Sequence, residues 1–319
     1  MLPALPRSPS LFVGPVLLAG LTLLPSPSGL GAQEAGSALR VLRLPASARA
    51  MGLGDAYMMN AEASDAVFYH PALVEGAEGF GVEVQSWSGE ATSASASAAG
   101  AWFGGSVAVG LQTLQYGVPG AELAELPGSH DLLFAPGDEP ASERVATVAV
   151  ARELGGFRVG VSGKLLEQRV AGERDATGAV DLGLATDLGP LVAAVSVQNL
   201  GPELGLPSGD VALPRRWSVG VGAYGRPVGP LDVGVTGSLR YDEAWEELIA
   251  AGGLEVGYWP VRGRTFVGRV GVRSVPQGDA SPVSLGFAFW GDDLVLEWAW
   301  QPFGGAVDEG THRFGIGWR

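Results

Sequence analysis

The sequence predicts an all-β fold, a transmembrane antiparallel β-barrel of about fourteen strands with a short, partly helical N-terminal hatch in the lumen. Two observations lead to this prediction. After Gly79, apolar side chains alternate with small or polar ones in segment after segment. The connections alternate too: turns such as Gly155-Gly156 are tight, whereas residues 116–142, 200–212 and 302–310 are long and polar. Outer-membrane barrels have short turns at one end and longer loops at the other.

Composition agrees with that fold. Apolar residues make up 46% of the chain and charged residues only 17%. No stretch provides the roughly 20 apolar residues that a membrane-spanning helix needs. A barrel reconciles these facts, because its apolar residues are spread over alternate strand positions.

Residues 1–32 are predicted to be a cleaved signal peptide. Arg7 gives a weakly positive start, residues 11–24 form an apolar core too short to span a bilayer, and small residues before Ala32 offer a cleavage site. An uncleaved anchor helix is the alternative, and Gly14-Pro15 argues against it. We therefore expect export to the outer membrane of a Gram-negative-type bacterium.

Residues 33–78 lack the alternation of strands and carry short helical patterns before Pro71. About fourteen strands enclose a lumen too wide for their own side chains to fill, so this segment is predicted to be a hatch or plug. The charged side chains of this segment have two possible roles. They form a gate by pairing with charges of the barrel wall, or they belong to a permanent plug and have only a structural role. The hatch and gate candidates are Arg49, Gly52, Gly54, Asp55, Asn60, Asp65, His70 and Pro71.

Residues 79–319 are predicted to form the barrel. In residues 265–273, for example, Phe266, Val270 and Val272 face away from Arg269 and Arg273. Fourteen segments of this kind give the even number that bacterial barrels require. They lie near residues 79–88, 92–103, 105–116, 143–154, 156–170, 177–188, 190–200, 213–224, 230–241, 247–259, 264–275, 281–290, 293–301 and 310–319.

Charged side chains on the polar face of these strands are predicted to face the lumen. The candidates are Lys164, Arg240, Arg269, Arg273 and Glu297. Lys164 is expected to face away from Val159 and Val161 only if the register shifts near Gly163. Aromatic residues near strand ends are predicted to form interfacial girdles. They are Trp102, Phe103, Tyr116, Trp217, Tyr241, Trp245, Tyr258, Trp259, Trp290 and Trp318.

Residues 116–142 form the longest predicted loop, and it is acidic. Leu132, Leu133 and Phe134 make an apolar spot within it and are candidate contacts for a partner or a ligand. The alternative is a solvated, mobile loop, since long loops are either functional or disordered.

Several function classes are excluded by composition. The chain has no cysteine, which excludes disulfide scaffolds, thiolate metal sites and cysteine nucleophiles. A net charge of −14 argues against nucleic acid as a partner. The three histidines are scattered, and no zinc-protease, hydrolase, P-loop or dinucleotide motif is present. We therefore expect no enzyme activity, no cofactor and no metal site.

Several short motifs resemble the PorV/PorQ family of FadL-like outer-membrane barrels. Residues 49–56 read RAMGLGDA and residues 63–73 read ASDAVFYHPAL. Later stretches follow in family order: VGVSGK at 159–164, DLGL at 181–184, VQNLG at 197–201, LPRR at 213–216 and THRF at 311–314. One departure is His70, where the family usually has asparagine in an Asn-Pro-Ala sequence.

The resemblance implies a barrel of about fourteen strands with a hatch in its lumen, and two functions. PorV-like members serve type IX protein secretion as shuttle or attachment components, and that non-catalytic role is the leading expectation. FadL-like members carry hydrophobic small molecules across the outer membrane, which is the alternative. Expected partners are outer-membrane lipid, secreted cargo or secretion components, and hydrophobic solutes. A soluble periplasmic β-protein remains a third reading of the sequence.

Overall fold

A computed structural model describes most of the chain. The described residues are 39–58, 62–87, 91–116, 141–170, 173–206, 209–261, 263–275, 281–303 and 306–318. The predicted signal peptide, residues 1–32, lies outside them and stays a prediction. None of the described helices is long and apolar enough to cross a bilayer.

Fourteen antiparallel strands close into one barrel, as the sequence predicts. Two further short strands, β8 and β9, pair with each other between β7 and β10. The strands are β1 Gly79–Trp87, β2 Ala91–Trp102, β3 Gly105–Tyr116, β4 Ser142–Leu154, β5 Phe157–Val170, β6 Glu173–Leu188, β7 Leu191–Leu200, β8 Leu204–Leu206, β9 Gly209–Val211, β10 Arg216–Val228, β11 Leu231–Asp242, β12 Glu247–Val261, β13 Arg264–Arg273, β14 Val283–Trp290, β15 Leu294–Phe303 and β16 Ala306–Trp318.

The barrel closes where β1 pairs with β16, from Phe80 opposite Trp318 to Ser86 opposite His312. One end of the barrel, here the turn end, holds two- and three-residue connections such as Gly155-Gly156. The other end, here the loop end, holds the longest connections, residues 117–141 and 201–215. The predicted asymmetry of the two ends is confirmed.

Two sequence predictions are wrong. Residues 302–310 are not a long loop, because β15 extends to Phe303, β16 begins at Ala306, and Pro302 pairs with Gly310. No register shift occurs near Gly163, because β5 pairs continuously with β4 and β6. Lys164 is an odd number of residues from Val159, and regular alternation therefore places them on opposite faces.

The outward face of the barrel is apolar around its circumference. Exposed side chains include Val82 on β1, Leu111 on β3, Leu165 on β5 and Ile316 on β16. Within the described residues, no second sheet or helical layer covers these rows, and apolar surface of this extent is typical of a face that meets lipid. The soluble reading of the sequence requires these rows to be buried, and they are not.

The aromatic prediction is partly wrong. Trp102, Trp217 and Trp318 point outward near strand ends, at 53%, 51% and 48% exposure. Trp290, in contrast, lies inside the barrel beside the guanidinium groups of Arg49 and Arg269. Two further aromatic residues also have partners on the lumen side. Tyr116 donates a hydrogen bond to the buried Glu143 of the wall, and the ring of Trp245 stacks with Arg43 of the hatch. Strand-end position alone does not tell which face a ring occupies.

The hatch, described over residues 39–58 and 62–78, lies inside the barrel. It contains helix α1, Ala48–Gly52, and 3-10 helices at Arg40–Arg43, Ser64–Phe68 and Pro71–Val74. Its side chains are mostly buried against inward-facing wall residues. The core of this protein is thus the interface between the hatch and the wall.

Candidate functional site: a hatch seated in the barrel lumen

Local capping shapes the short helices of the hatch. Ser47 is the N-cap of α1, and its Oγ accepts a hydrogen bond from the Ala50 amide at 3.2 Å. His70 plays the same part for the Pro71–Val74 helix, with Nδ1 accepting from the Ala72 amide at 3.2 Å. An asparagine side chain can cap in the same way, so the difference from the PorV/PorQ pattern at this position preserves the turn chemistry.

Wall glycines form a seat for the hatch. A Cβ on Gly183 would lie 2.8 Å from the His70 ring, and one on Gly253 would lie 2.8 Å from Leu53. A Cβ on Gly160 or Gly271 would overlap hatch backbone, at Pro71 and at Gly54. Seven strands contribute to this hatch seat, which consists of Gly110, Gly160, Gly183, Gly220, Gly253, Gly271 and Gly286.

Two predicted hatch glycines, Gly52 and Gly54, also lie in close contact with the wall. Gly54 has φ +68°, and a Cβ there would lie 2.8 Å from the Val272 backbone, so both conformation and space favour glycine. A Cβ on Gly52 would lie 3.1 Å from the Gly286 Cα. The hatch backbone therefore touches the wall backbone directly on this side.

A buried ion network joins the hatch to the wall. Arg49 Nη2 lies 2.9 Å from Glu255 Oε1, and Arg269 Nε lies 2.6 Å from the other oxygen of Glu255. Arg269 also contacts Glu297 at 2.7 Å. Sequence reasoning identified Arg49, Arg269 and Glu297 but missed Glu255, although its inward position follows from the alternation along β12.

The two predicted hatch aspartates differ in their partners. Asp55 pairs with Arg240 of β11 at 2.6 Å. Among the described residues, Asp65 forms no salt bridge with an arginine of the wall, and it accepts a hydrogen bond from the hydroxyl of Tyr57 at 2.7 Å. Arg273 contacts Gln301 of β15 at 3.4 Å rather than a hatch carboxylate.

A second anchor, which sequence reasoning missed, is Arg313 on β16. Its guanidinium donates to the Pro45 carbonyl at 2.9 Å and to the Ala46 carbonyl, and it pairs with Glu83 of β1 at 2.9 Å. Glu83 in turn accepts a 2.5 Å hydrogen bond from the Ala48 amide. The THRF motif at 311–314 contains this arginine, and strand alternation places it inward.

Lys164 belongs to a wall network. Its Nζ lies 2.9 Å from Asp181 and 2.7 Å from the side-chain oxygen of Asn199. Ser162 donates to the same aspartate at 2.7 Å. The lysine thus pairs with an aspartate of the wall itself.

His70 is fully buried between the hatch and β6. Burial lowers the pKa of its imidazole from 6.5 to about 4. It is therefore neutral at physiological pH, which its capping role requires because Nδ1 must accept a hydrogen bond.

The remaining predicted site residues lie outside the described part of the chain. Asn60 falls in the gap between residues 58 and 62, and Leu132, Leu133 and Phe134 fall in residues 117–140. Their proposed roles stay predictions. The described residues contain no cluster of three or more histidine or carboxylate side chains that fits a metal ion.

Little space separates the hatch from the wall in two places. A cavity of about 70 Å³ near the turn end is lined by Asp65, Glu83 and Glu297, among others. Another, of about 10 Å³, lies beside Tyr69 and Lys164. At the loop end a larger cavity of about 400 Å³ opens beside the first hatch residues.

The two flanks of the hatch differ in chemistry. Toward β3–β7, Val67 and Phe68 pack among wall alanines such as Ala149 and Ala194. Hydrogen bonds cross this side as well: the Val41 amide donates to Glu143, the Gly76 amide to Ser106 Oγ, and the Gln198 side chain to the Tyr69 carbonyl. Toward β11–β16 the contacts are the ion pairs described above. The hatch thus has an apolar flank and a charged flank.

In comparisons with known proteins, the likeness to the toluene transporter TodX supports the barrel fold. No protein-family model and no curated sequence matches the chain. Among solved structures, the Pseudomonas putida toluene transporter TodX is similar with a TM-score of 0.52 and 10% identity, over 84% of this chain and 95% of TodX. The Ralstonia pickettii toluene transporter TbuX has a TM-score of 0.48 and 13% identity, over 88% and 98%. The Acinetobacter baumannii outer-membrane protein Omp33 has a TM-score of 0.43 and 9% identity, over 77% and 99%.

Proposed function

We propose that this protein is a non-enzymatic outer-membrane channel for hydrophobic small molecules, closed by its own hatch. The observation that carries the proposal is the apolar flank of the hatch inside a closed fourteen-strand barrel with an apolar exterior. The fold likeness to TodX, a toluene transporter, supports this alternative from the sequence analysis over the secretion role. The predicted signal peptide, residues 1–32, would deliver the chain to that membrane.

The two flanks suggest a route for the solute. An apolar molecule loses little by leaving lipid for an apolar surface, whereas separating buried ion pairs leaves uncompensated charges. The hatch is therefore expected to stay attached through Arg49 and Arg313 while its Val67–Phe68 side yields. Solute would pass between the hatch and strands β3–β7.

A reversible lock tests this proposal. Ser64 in the hatch and Ser97 on β2 have their Oγ atoms 2.8 Å apart, and the chain has no native cysteine. The double variant Ser64→Cys, Ser97→Cys is thus expected to form one disulfide. Uptake of a labelled monoaromatic hydrocarbon is measured in vesicles with a lipopolysaccharide outer leaflet, which slows passive entry of such solutes.

Wild-type protein is expected to raise uptake above that of protein-free vesicles. The oxidised lock is expected to return uptake to that background, and reduction of the disulfide to restore it. Wild-type uptake equal to the background contradicts the channel proposal. Equal uptake by the oxidised and reduced forms contradicts closure by the hatch.

The positions of the described histidines support a non-enzymatic role. His70 is buried as a helix cap. His312 faces outward and stacks between Trp298 and Phe314. Neither forms a hydrogen bond to a serine or threonine hydroxyl within the described residues, as a nucleophile–base pair would require.

The secretion role implied by the PorV/PorQ resemblance is a second candidate, and the order of the sequence motifs favours it. Its test is a pull-down from intact envelopes that compares wild type with a deletion of residues 123–139, which include Leu132, Leu133 and Phe134. Loss of a partner in the deletion would support a secretion contact. Unchanged partners would contradict a role for this loop.

A further inference from the structure

The 400 Å³ cavity at the loop end differs from the hatch interface in charge. It lies among the ends of β10–β13 and the first hatch residues. We call it the arginine vestibule, because five arginines line it: Arg40, Arg43, Arg216, Arg240 and Arg273. A chain with net charge −14 and 20 basic residues thus places a quarter of them around one cavity.

Carboxylates nearby neutralise only part of this charge. Arg43 pairs with Glu247 at 2.7 Å and with Asp242 at 3.5 Å. Arg240 pairs with Asp55 of the hatch at 2.6 Å. A fourth carboxylate, the buried Glu143, interacts electrostatically with Arg40. The five arginines still outnumber these carboxylates, so the cavity keeps an excess of positive charge.

Three arginines carry that excess. Within the described residues, Arg40, Arg216 and Arg273 have no carboxylate at salt-bridge distance. Arg216 and Arg273 come from the loop ends of β10 and β13, and Arg40 from the hatch. Guanidinium groups from three separate elements therefore border one space.

Arg216 shows the clearest unmet hydrogen-bonding capacity. Arg216 is only 9% exposed, and its Nη2 donates a hydrogen bond to the Leu42 carbonyl at 3.0 Å. Its buried Nε has no hydrogen-bond partner among the described residues. A buried donor left unpaired is costly, and a charged one more so. Arg273 Nη2 has a weak partner, the Gln301 oxygen at 3.4 Å.

We propose that the arginine vestibule binds a phosphate group. A phosphate carries a charge of about −1.5 to −2 near neutral pH, which is opposite in sign to the excess charge of the site. Its tetrahedral oxygens accept hydrogen bonds from several directions, as guanidinium groups on different elements require. Two sources share this chemistry, a soluble phosphate compound and a phosphorylated lipid headgroup. The site goes beyond the proposed channel function and does not depend on it.

Equilibrium binding to the full-length, detergent-solubilised protein tests the proposal. The probes are labelled inorganic phosphate and dihexanoyl phosphatidic acid, each at constant ionic strength set with chloride. The variants are Arg216→Gln and Arg273→Gln, with Arg215→Gln as the matched control. Arg215 is the chain neighbour of Arg216, but its side chain is 45% exposed and pairs with Glu243 at 3.2 Å.

Both vestibule variants are expected to weaken phosphate binding by roughly tenfold or more, and the control by less than about twofold. Heat-modifiable gel migration verifies that each barrel is folded. Arg273→Gln keeps the test decisive if Arg216→Gln misfolds, because Arg273 does not anchor the hatch backbone.

The two probes distinguish the sources. Equal affinity for both indicates soluble phosphate, and a marked preference for phosphatidic acid indicates a lipid headgroup; either result supports the site. Equal weakening by all three variants shows general charge attraction and overturns the proposal. Absence of binding of both probes to the wild type overturns it as well. None of these outcomes depends on hydrocarbon uptake, so the two proposals fail separately.

Discussion

The hatch interface and the arginine vestibule lie in the same lumen, but their buried arginines have different partners. In the interface, Arg49 and Arg269 share Glu255, and Arg313 contacts Glu83 and hatch carbonyls. In the vestibule, Arg216 and Arg273 have no carboxylate partner among the described residues. Paired charges suit a permanent contact, and unpaired ones suit a ligand that arrives from outside. The comparison separates structural arginines from those available for binding.

The largest expected effect is the loss of hatch docking when the Glu255 carboxylate is removed. Glu255→Gln leaves Arg49 and Arg269 buried without their shared carboxylate. Breaking a buried ion pair in this way costs about 3–5 kcal/mol. We expect weaker hatch docking, measured as faster hydrogen exchange of residues 48–58, with the barrel still closed. Unchanged exchange would show that the network does not hold the hatch.

The next largest effect is expected when a methyl group is added to a glycine of the hatch seat. In Gly271→Ala the added Cβ overlaps the Gly54 backbone nitrogen, which cannot move as a flexible side chain does. Overpacking of this kind costs about 1–3 kcal/mol, and we expect the upper part of that range.

Gly268→Ala on the same strand is the matched control, because a Cβ there meets nothing within 4 Å. Limited proteolysis of the hatch and planar-bilayer conductance should change for Gly271→Ala alone. Similar behaviour of the two variants would show that the close contact is not maintained in the membrane.

Acid is expected to loosen the hatch through His70. The pKa of this histidine is lowered by burial to about 4 from its ordinary 6.5. Between these values the undocked state binds more protons, so docking is strongest above pH 6.5 and weakens as pH falls toward 4. At about pH 5 the loss is about 2 kcal/mol.

The variant His70→Asn isolates this contribution. It keeps an N-cap acceptor but cannot titrate, so its hatch exchange should depend less on pH than that of the wild type. Parallel pH profiles for the two proteins would assign the acid sensitivity to other groups.

The smallest effect is expected at the exposed pair of Arg215 and Glu243. Their side chains are 45% and 37% exposed, and such pairs contribute about 0–1 kcal/mol. Glu243→Gln should leave thermal unfolding and hatch exchange nearly unchanged. A large loss of stability would show that the loop end depends on surface pairs as the interior depends on buried ones.

The strands were predictable because alternation is a local property of sequence. All fourteen barrel strands appear close to their predicted positions. Four of the lumen candidates form ion pairs: Lys164, Arg240 and Arg269 with wall or hatch carboxylates, and Glu297 with Arg269. The errors have local causes. Residues 302–310 are polar yet continue a strand pair, and Trp290 sits at a strand end but on the inward face.

The sequence by itself determined most strand positions, the alternation of side chains between the two faces, and that a separate N-terminal segment precedes the barrel. It did not determine partners across the lumen. Arg49 meets Glu255, 206 positions away, and the hatch seat draws glycines from seven strands. A period of two assigns a side chain to a face, but only closure of the barrel around the hatch fixes which groups meet there. The charge excess of the vestibule likewise emerges only when β10–β13 and the hatch come together.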